Sequence, residues 1–167
     1  MSTEKDVFYM TIAIKEARLS LNGGDLPVGA IICAGENIVG RGRRNMLGNT
    51  RLDHAEMNAL SEAVTDWRGE HLVLYTTLEP CIMCFGAILN CRIGRVVYAL
   101  EDPYGGATEL DRKKMPPRHQ IKYPDITKGV LREDSRQIFR EYFQTTDNDF
   151  WKNNLENPFF KLCMNID

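Results

Sequence analysis

The segment His71–Leu100, HLVLYTTLEPCIMCFGAILNCRIGRVVYAL, determines the expected fold. It begins with HLVLYTT, a mostly apolar run that is typical of a buried strand. Pro80 then favours a helix start, and apolar residues at helical spacing continue to about Cys91. RVVYAL follows as another buried strand. A strand, a helix and a strand in this order predict neighbouring parallel strands joined by a right-handed crossover.

The residues before this unit predict further strands and helices. A helix is expected over Lys5–Leu21, and PVGAIICAGENIVGRGR predicts two strands around a turn at Ala34–Asn37. Residues 43–52 are polar and predict a loop. DHAEMNALSEAVTDW then predicts a helix with Asp53 as its N-cap and Glu56 three positions later, as in a capping box. Because this helix also lies between two strands, it predicts a second pair of parallel neighbours.

Beyond Leu100 the chain is turn-rich, and its pattern predicts a short strand near Gln120–Tyr123 and a helix over Glu133–Phe143. Residues 147–167 are polar with aromatic anchors and are expected to form a C-terminal tail or lid. The sequence has no internal repeat or linker, so residues 1–167 are expected to form a single domain. The predicted fold class is α/β, a three-layer α-β-α arrangement with a central mixed sheet of about five strands.

The composition is that of an ordinary globular protein. Of the 167 residues, 43% are hydrophobic and 26% are charged, and the net charge of −2 predicts no general attraction to nucleic acid. The N-terminal residues lack the apolar segment of a signal peptide, and no apolar run approaches the roughly 20 residues of a membrane span. Five unevenly spaced cysteines favour reduced thiols. A cytoplasmic location without membrane association is therefore expected.

Cys81 and Cys84 form a Cys-x-x-Cys pair at the start of the helix after Pro80. In a reduced compartment such a pair is a redox motif, a metal site or two buried thiols. Both sulfurs lie on one face of a helix, and the helix start favours their thiolate form. His54 stands at the start of the preceding helix. If the two helix starts meet, one nitrogen and two sulfurs form a ligand set suited to zinc.

Three protein ligands would leave the fourth zinc position open to water, which is typical of a catalytic site. Glu56 follows His54 by two residues and is the candidate catalytic group that takes the water's proton and returns it to the substrate. Glu79 is a rival carboxylate, although its place before Pro80 favours a role at the helix dipole. This set of groups predicts hydrolytic deamination of an amidine-like carbon. The non-enzymatic alternative is a domain with a structural zinc ion held by a fourth protein ligand.

The combination of HAE and PCIMC resembles the signature of zinc nucleobase deaminases. PVGA, HAEMNAL, TLEPCIMCFGAI and RIGRVVYAL, within Val7–Leu100, are similar to the bacterial tRNA adenosine deaminase and cytosine deaminase branch of the cytidine deaminase-like superfamily. The resemblance implies a five-stranded sheet with flanking helices, one zinc ion per chain and a homodimer. It also implies that Asn45 hydrogen-bonds the base. The backbone implied to line the pocket lies around Val28, Ala55 and Glu79.

Two features of the C-terminal region favour a small substrate over tRNA. Residues 133–167 contain seven acidic residues (Glu133, Asp134, Glu141, Asp147, Asp149, Glu156, Asp167) and four basic ones (Arg136, Arg140, Lys152, Lys161). An RNA-binding arm is expected to have the opposite balance. NDFW also resembles the C-terminal lid of fungal cytosine deaminases, which makes Trp151 a candidate substrate contact. The alternative is that Phe150 and Trp151 only anchor the tail, which is the commoner role of such aromatics.

Basic residues in RGRRNMLGNTR and DRKKMPPRHQIK favour the opposite interpretation, because they could bind phosphates beside the pocket mouth. Such clusters are more commonly solvated loops. We therefore expect a zinc-dependent deaminase of a free nucleobase or nucleoside, with a tRNA-specific adenosine deaminase as the alternative.

Overall fold

The computed structural model describes residues 3–45, 51–63 and 71–166. These residues contain a five-stranded sheet with the order β2-β1-β3-β4-β5. The strands are β1 (Gly29–Ala34), β2 (Asn37–Arg43), β3 (Leu72–Leu78), β4 (Arg95–Leu100) and β5 (Asp125–Lys128). β1 is antiparallel to both of its neighbours, whereas β3, β4 and β5 run parallel to one another. The mixed five-stranded sheet confirms the predicted fold class.

Helices cover both faces of the sheet. They are α1 (Glu4–Asn22), α2 (Ala55–Glu62), α3 (Ile82–Asn90), α4 (Pro117–Ile121), α5 (Arg132–Thr145), α6 (Asp149–Lys152) and α7 (Pro158–Met164), with a 3-10 turn at Arg112–Lys114. Met10 of α1 packs with Ile31 on one face, and α5 contacts α1 on that side. Ala59 of α2 and Ile88 of α3 pack with Ile32 on the other face. The side chains of β1 thus alternate between the two helical layers.

Glycines in the β1–β2 hairpin allow two helices to lie directly on the sheet. A Cβ atom at Gly29 would lie 2.2 Å from the carbonyl oxygen of Ala13 in α1. On the other face, a Cβ atom at Gly42 would lie 2.0 Å from the carbonyl oxygen of Ala55, the first residue of α2. Any larger side chain would force the helices away. Gly42 therefore allows the start of α2 to lie against the end of β2, and Gly29 allows α1 to lie against β1.

The strand order corrects the predicted pairing around α2. The prediction that β2 and β3 are neighbours is wrong, because β1 lies between them and pairs with both. Since β1 is antiparallel to each of them, β2 and β3 still run in the same direction. The unit β3–α3–β4 does join neighbouring parallel strands, as predicted.

The predicted strand near Gln120–Tyr123 is wrong. Residues Pro117–Ile121 form α4, and its first residue suits a helix start because proline has no backbone N–H to donate. The strand in this region is β5, whose first residue Asp125 pairs with Arg95 of β4. The predicted helix over Glu133–Phe143 is confirmed within the longer α5.

The C-terminal tail forms α6 and α7. The side chains of Asn148 and Asn157 cap these helices by accepting hydrogen bonds from backbone N–H groups of their first turns. The ring of Phe143 in α5 contacts Trp151 at a centroid distance of 4.9 Å and Phe160 at 5.2 Å. The tail therefore packs against α5, and its function as a lid stays a prediction.

Some predictions fall partly outside the described residues, namely residues 46–50 of the predicted loop and residues 64–67 of the predicted second helix. Among the residues that are described, no helix combines the length and apolar character of a membrane span. All five cysteines have free thiols.

A buried ion pair joins the start of α1 to the sheet. Asp6 is fully buried, and its two carboxylate oxygens each accept a hydrogen bond from Arg95 at 2.8 Å. Asp6 also accepts hydrogen bonds from the Tyr75 hydroxyl at 3.1 Å and from the backbone N–H of Thr3 at 3.0 Å. Burial alone would raise the pKa of Asp6, but these hydrogen bonds and the Arg95 charge lower it to about 2.

We expect Asp6→Asn to lower the free energy of unfolding at pH 7 by about 2–3 kcal/mol, because it leaves Arg95 without its charge partner. The folded-state pKa lies below the ordinary value of 3.8, so this stabilisation is present above about pH 4 and is lost as the pH falls toward 2. Urea unfolding followed by circular dichroism at pH 7 and at low pH measures both effects. Glu4→Gln, which changes an exposed acid in the same helix turn, is the control. Equal stability of Asp6→Asn and wild type at pH 7 would contradict this expectation.

Candidate metal centre and active site

Two helices begin at the same edge of the sheet. β2 and β3 run in the same direction, and α2 and α3 follow their carboxyl ends. The two helix starts therefore meet beyond these strand ends, where ligands commonly bind in open α/β sheets. His54 is the N-cap residue of α2, Cys81 is the N-cap residue of α3, and Cys84 lies in the first turn of α3.

The three predicted ligands form a small triangle. Nδ1 of His54 lies 3.6 Å from Sγ of Cys81 and 3.5 Å from Sγ of Cys84, and the two sulfurs are 3.6 Å apart. Zinc binds sulfur at about 2.3 Å and nitrogen at about 2.0 Å, so tetrahedral ligands of these types lie roughly 3.6–3.8 Å apart. The observed separations fit a zinc ion. Across the described ranges, this is the group of His, Cys, Asp or Glu side chains whose ligand atoms all lie within 4.8 Å of one another.

Close packing couples the protonation of these groups. The hydrogen bond between the two cysteines lowers the pKa of Cys81 to about 4 and raises the pKa of the Cys84 thiol. The hydrogen bond with Cys81 raises the pKa of His54. The two thiols therefore titrate as a pair. A divalent cation can displace their protons and bind both sulfurs as thiolates.

The predicted catalytic residue Glu56 lies beside this triangle and is 3% exposed. Its Oε2 atom lies 3.6 Å from Sγ of Cys84, and its Oε1 atom accepts a hydrogen bond from the hydroxyl of Thr76 at 3.3 Å. Burial raises the pKa of Glu56. A buried carboxyl group with a raised pKa is suited to accept and return a proton near neutral pH.

The structure corrects both predicted helix starts. Asp53 is not the N-cap of α2, and Glu56 does not complete a capping box because its carboxylate faces Cys84 instead. Likewise, α3 begins at Ile82 rather than at Pro80, which leaves Cys81 at the N-cap. Neither N-cap residue uses its side chain to cap its helix, so the imidazole and the sulfur remain available as ligands.

The triangle borders a cavity of about 270 Å³. This volume lies near the lower limit of small-molecule sites, which begin at roughly 300 Å³, and suits one heterocyclic base. Four of the predicted substrate-binding residues line the cavity: Val28, Ala55, Glu79 and Trp151. Their contacts with a substrate stay a prediction.

The fifth predicted substrate contact, Asn45, is exposed and lines a neighbouring cavity with Arg41 and Arg43. Its backbone N–H donates a hydrogen bond of 3.4 Å to the carbonyl oxygen of Asp53, which links the end of β2 to the start of α2. The hydrogen bond between Asn45 and the base also stays a prediction.

The cavity includes residues that the sequence analysis did not single out. They are Leu26, Leu78, Asp102, Tyr104 and Phe159. Asp102 and Tyr104 directly follow β4, and a turn-rich segment after a parallel strand is a usable signal, because such loops line ligand clefts. The backbone N–H groups of Tyr104 and Gly105 donate to Oδ1 of Asp102 at 2.9 Å and 3.0 Å. Burial raises the pKa of Asp102.

The carboxylate of Glu79 holds this loop in place. Its Oε1 atom accepts hydrogen bonds from the backbone N–H and the hydroxyl of Thr108, at 3.0 Å and 2.6 Å. Its Oε2 atom accepts a hydrogen bond of 3.1 Å from the backbone N–H of Asp102. The expected role of Glu79 at the dipole of α3 is therefore wrong. Its carboxylate instead accepts hydrogen bonds from loop N–H groups that lack a strand partner.

Three of the basic residues expected at the pocket mouth form ion pairs with acidic side chains. Among the described members of the two basic clusters, Arg44 is the one that lines the cavity, and it pairs with Asp25 at 3.2 Å. Arg41 and Arg43 both pair with Glu16, at 3.5 Å and 3.3 Å. These ion pairs reduce the positive charge that the sequence suggests near the site.

Comparison with known proteins identifies the family. The family model for the cytidine and deoxycytidylate deaminase zinc-binding region matches residues 3–100, which include His54 and the Cys81/Cys84 pair. The chain belongs to this family. It is a deaminase-family enzyme, a hydrolase that acts on C–N bonds, and its zinc is bound by the three residues of the triangle. The family assignment favours an enzyme over the non-enzymatic alternative with a closed zinc site.

Several relatives are similar over most of the chain. The tRNA-specific adenosine deaminase of Buchnera aphidicola subsp. Schizaphis graminum (strain Sg) is 34% identical over 157 residues, covering 86% of this chain and 97% of that protein. The tRNA-specific adenosine deaminase of Bacillus subtilis (strain 168) is 33% identical over 144 residues, covering 84% of this chain and 89% of that protein.

Solved structures show the same fold. A chain from a study of A-to-I editing by tRNA:A34 deaminases has a TM-score of 0.65 at 33% identity and covers 73% of this chain and 97% of that chain. A guanine deaminase from Nitrosomonas europaea has a TM-score of 0.68 at 22% identity, covers 85% of each chain, and supports the fold alone. The homodimer implied by the resemblance stays a prediction.

We expect Cys84→Ser to reduce the zinc content of the purified protein from about one ion per chain to less than about 0.1, because serine is a much poorer zinc ligand than a thiolate. Elemental analysis by mass spectrometry measures this change. Cys91→Ser, which alters a thiol outside the triangle, is the matched control and should retain its zinc. Full zinc content in Cys84→Ser would show that the ion lies elsewhere.

Proposed function

We propose that this protein deaminates adenosine within a tRNA, converting it to inosine and releasing ammonia. The observation that most supports this substrate is the similarity to tRNA-specific adenosine deaminases, at 34% identity over 86% of the chain. A tRNA substrate also agrees with the cytoplasmic location expected from the sequence. The substrate first expected, a free nucleobase or nucleoside, becomes the second candidate.

The proposed proton carrier is Glu56. Bound zinc supplies Lewis-acid activation of a water molecule. Glu56 would accept a proton from the attacking water as the water oxygen bonds to C6 of adenine, and it would deliver that proton to the ring nitrogen. A second proton transfer through Glu56 would carry the proton of the new C6 hydroxyl group to the exocyclic amine, so that the C6–N6 bond breaks, the C6 carbonyl forms and ammonia leaves. The burial of Glu56 limits its contact with bulk water during these transfers.

The size of the cavity suits a single base rather than a paired helix. A reacting adenosine in RNA would therefore have to be unstacked and turned into the cavity. Val28, Ala55 and Trp151 offer it apolar surface, and Asn45 is proposed to orient its ring. The rings of Tyr104 and Phe150, both cavity-lining residues, lie 6.5 Å apart and are 58% and 47% exposed. They are available for stacking with flanking bases.

The C-terminal tail favours the second candidate, a free nucleobase or nucleoside. Phe150 and Trp151 of α6 line the cavity, and Trp151 is anchored against Phe143. A tail anchored in this way can cover a small substrate. The acidic balance of residues 133–167 and the ion-paired arginines also provide little attraction for RNA phosphates.

Glu56→Gln is expected to reduce kcat by about 10²–10⁴-fold, because glutamine cannot accept and return the proton. Zinc content should remain near one ion per chain, since the ligands are unchanged. Ammonia release and elemental analysis measure the two effects. Glu62→Gln, an exposed acid in the same helix, is the matched control and should keep wild-type kcat. Wild-type turnover by Glu56→Gln would show that Glu56 is not the proton carrier.

A substrate panel separates the two candidates. The protein would be incubated with an adenosine-containing tRNA anticodon stem-loop and, separately, with adenosine, adenine, guanine, cytosine and cytidine. We expect ammonia release and inosine formation from the stem-loop, with binding that weakens steeply between about 50 mM and 200 mM salt. Turnover of a free base or nucleoside without turnover of the stem-loop would refute the tRNA proposal and support the second candidate.

A further inference from the structure

The hydroxyl of Thr76 lies in an otherwise apolar row of β3. Leu74, Thr76 and Leu78 alternate along the strand and face α2 and α3. Thr76 is fully buried. A hydroxyl group removed from water in this way costs free energy unless it makes a hydrogen bond. The hydrogen-bond partner of this hydroxyl therefore indicates why threonine, rather than an apolar residue, occupies this position.

The partner of this hydroxyl is the carboxylate of Glu56. Oγ1 of Thr76 donates to Oε1 of Glu56 at 3.3 Å, while Oε2 of Glu56 lies 3.6 Å from Sγ of Cys84. One carboxylate oxygen thus faces the strand and the other faces the metal ligands. This distance is longer than the usual O–H···O separation of about 2.7–2.8 Å. Hydrogen bonds in active sites often shorten only when substrate is bound.

The donor is held rigidly by its strand. β3 is a central strand, and Thr76 pairs with Ala30 of β1 on one side and with Tyr98 of β4 on the other. The Glu56 side chain, by contrast, reaches Thr76 from the first turn of α2 through several rotatable bonds. A fixed donor limits the orientations that such a carboxylate can adopt.

From this geometry we propose that Thr76 is a positioning residue, which holds Oε1 of Glu56 so that Oε2 faces the reacting atoms. The proposal rests on the function of Glu56 proposed above. Thr76 itself is not among the residues that line the cavity, and its hydroxyl donates to Glu56 rather than to a zinc ligand. The competing explanation is that a β-branched residue simply packs well in a strand and that its hydroxyl has no role in the reaction.

Two substitutions at this position separate the explanations. Thr76→Val keeps the branched shape and removes the hydroxyl, whereas Thr76→Ser keeps the hydroxyl and removes a methyl group. If the hydroxyl positions Glu56, Thr76→Val should lower kcat by about 10–100-fold with KM changed less than about threefold. Thr76→Ser should keep kcat within about threefold of wild type, since its donor is retained.

The neighbouring residue provides a matched control. Thr77 is also fully buried, but its Oγ1 atom accepts a hydrogen bond of 3.1 Å from the backbone N–H of Gly29 on the opposite face of the sheet. Thr77→Val therefore perturbs the same strand without removing a donor to Glu56. Assayed below its unfolding temperature, it should retain wild-type kcat. Zinc content should remain near one ion per chain in all three variants.

Crystal structures of zinc-loaded wild type and Thr76→Val provide a readout that does not depend on activity. We expect the Glu56 carboxylate to turn in the variant, moving Oε2 away from Sγ of Cys84. An unchanged Glu56 orientation, an unchanged kcat in Thr76→Val, or an equal loss of kcat in Thr76→Ser would each overturn the proposal. If the wild type deaminates no substrate in the panel, the proposed function fails, and the crystal structures still decide the role of Thr76.

Discussion

The metal centre depends on the common direction of β2 and β3. These strands are separated by β1, and because β1 is antiparallel to each of them, they point to the same edge of the sheet. The helices that follow them therefore start side by side, and His54 lies 3.5 Å from Sγ of Cys84. If β2 ran in the opposite direction, its carboxyl end would lie roughly 20 Å away, at the other edge. No local adjustment of a side chain could close that gap.

Burial makes this arrangement unfavourable for isolated charges and favourable for a cation. Glu56 is almost fully buried, and burial raises its pKa, while the sulfurs of Cys81 and Cys84 lie only 3.6 Å apart. A divalent ion compensates the thiolates and removes the cost of keeping them close together. Metal affinity and folding stability are therefore linked, because the site exists only when both helix starts are in place. The same burial shields the proton transfers proposed for Glu56.

The sequence predicted the ligands and the fold class because both depend on local patterns. Two local spacings predict the zinc ligands and the proton carrier: that of Cys81 and Cys84 on one helix, and that of His54 and Glu56 on another. Apolar periodicity identifies the strands. The insertion of β1 between β2 and β3 could not be read in this way, since periodicity shows which residues are buried but not which strand pairs with them. For the same reason, the role of Glu79 was missed. Its hydrogen bonds reach Thr108, a long-range contact with no local signal.

The cavity beyond the metal ligands is built from distant segments. Asp102 follows β4, whereas Phe150 belongs to the tail, and both reach the cavity only through tertiary packing. Trp151 of the tail packs against Phe143 of α5, but nothing in the tail sequence specified that contact. We expect this part of the molecule to select the substrate, which therefore follows less directly from the sequence than the reaction does.

The central claim is that zinc is bound by one nitrogen and two sulfurs from two helix starts, with a position left open for the reaction. X-ray absorption spectroscopy at the zinc edge of the purified protein tests it most directly. The structure predicts two sulfur atoms at about 2.3 Å and nitrogen or oxygen atoms at about 2.0 Å, with a spectrum that changes when a small anion is added. A spectrum with four protein ligands that does not respond to anions, or one without sulfur, would contradict it.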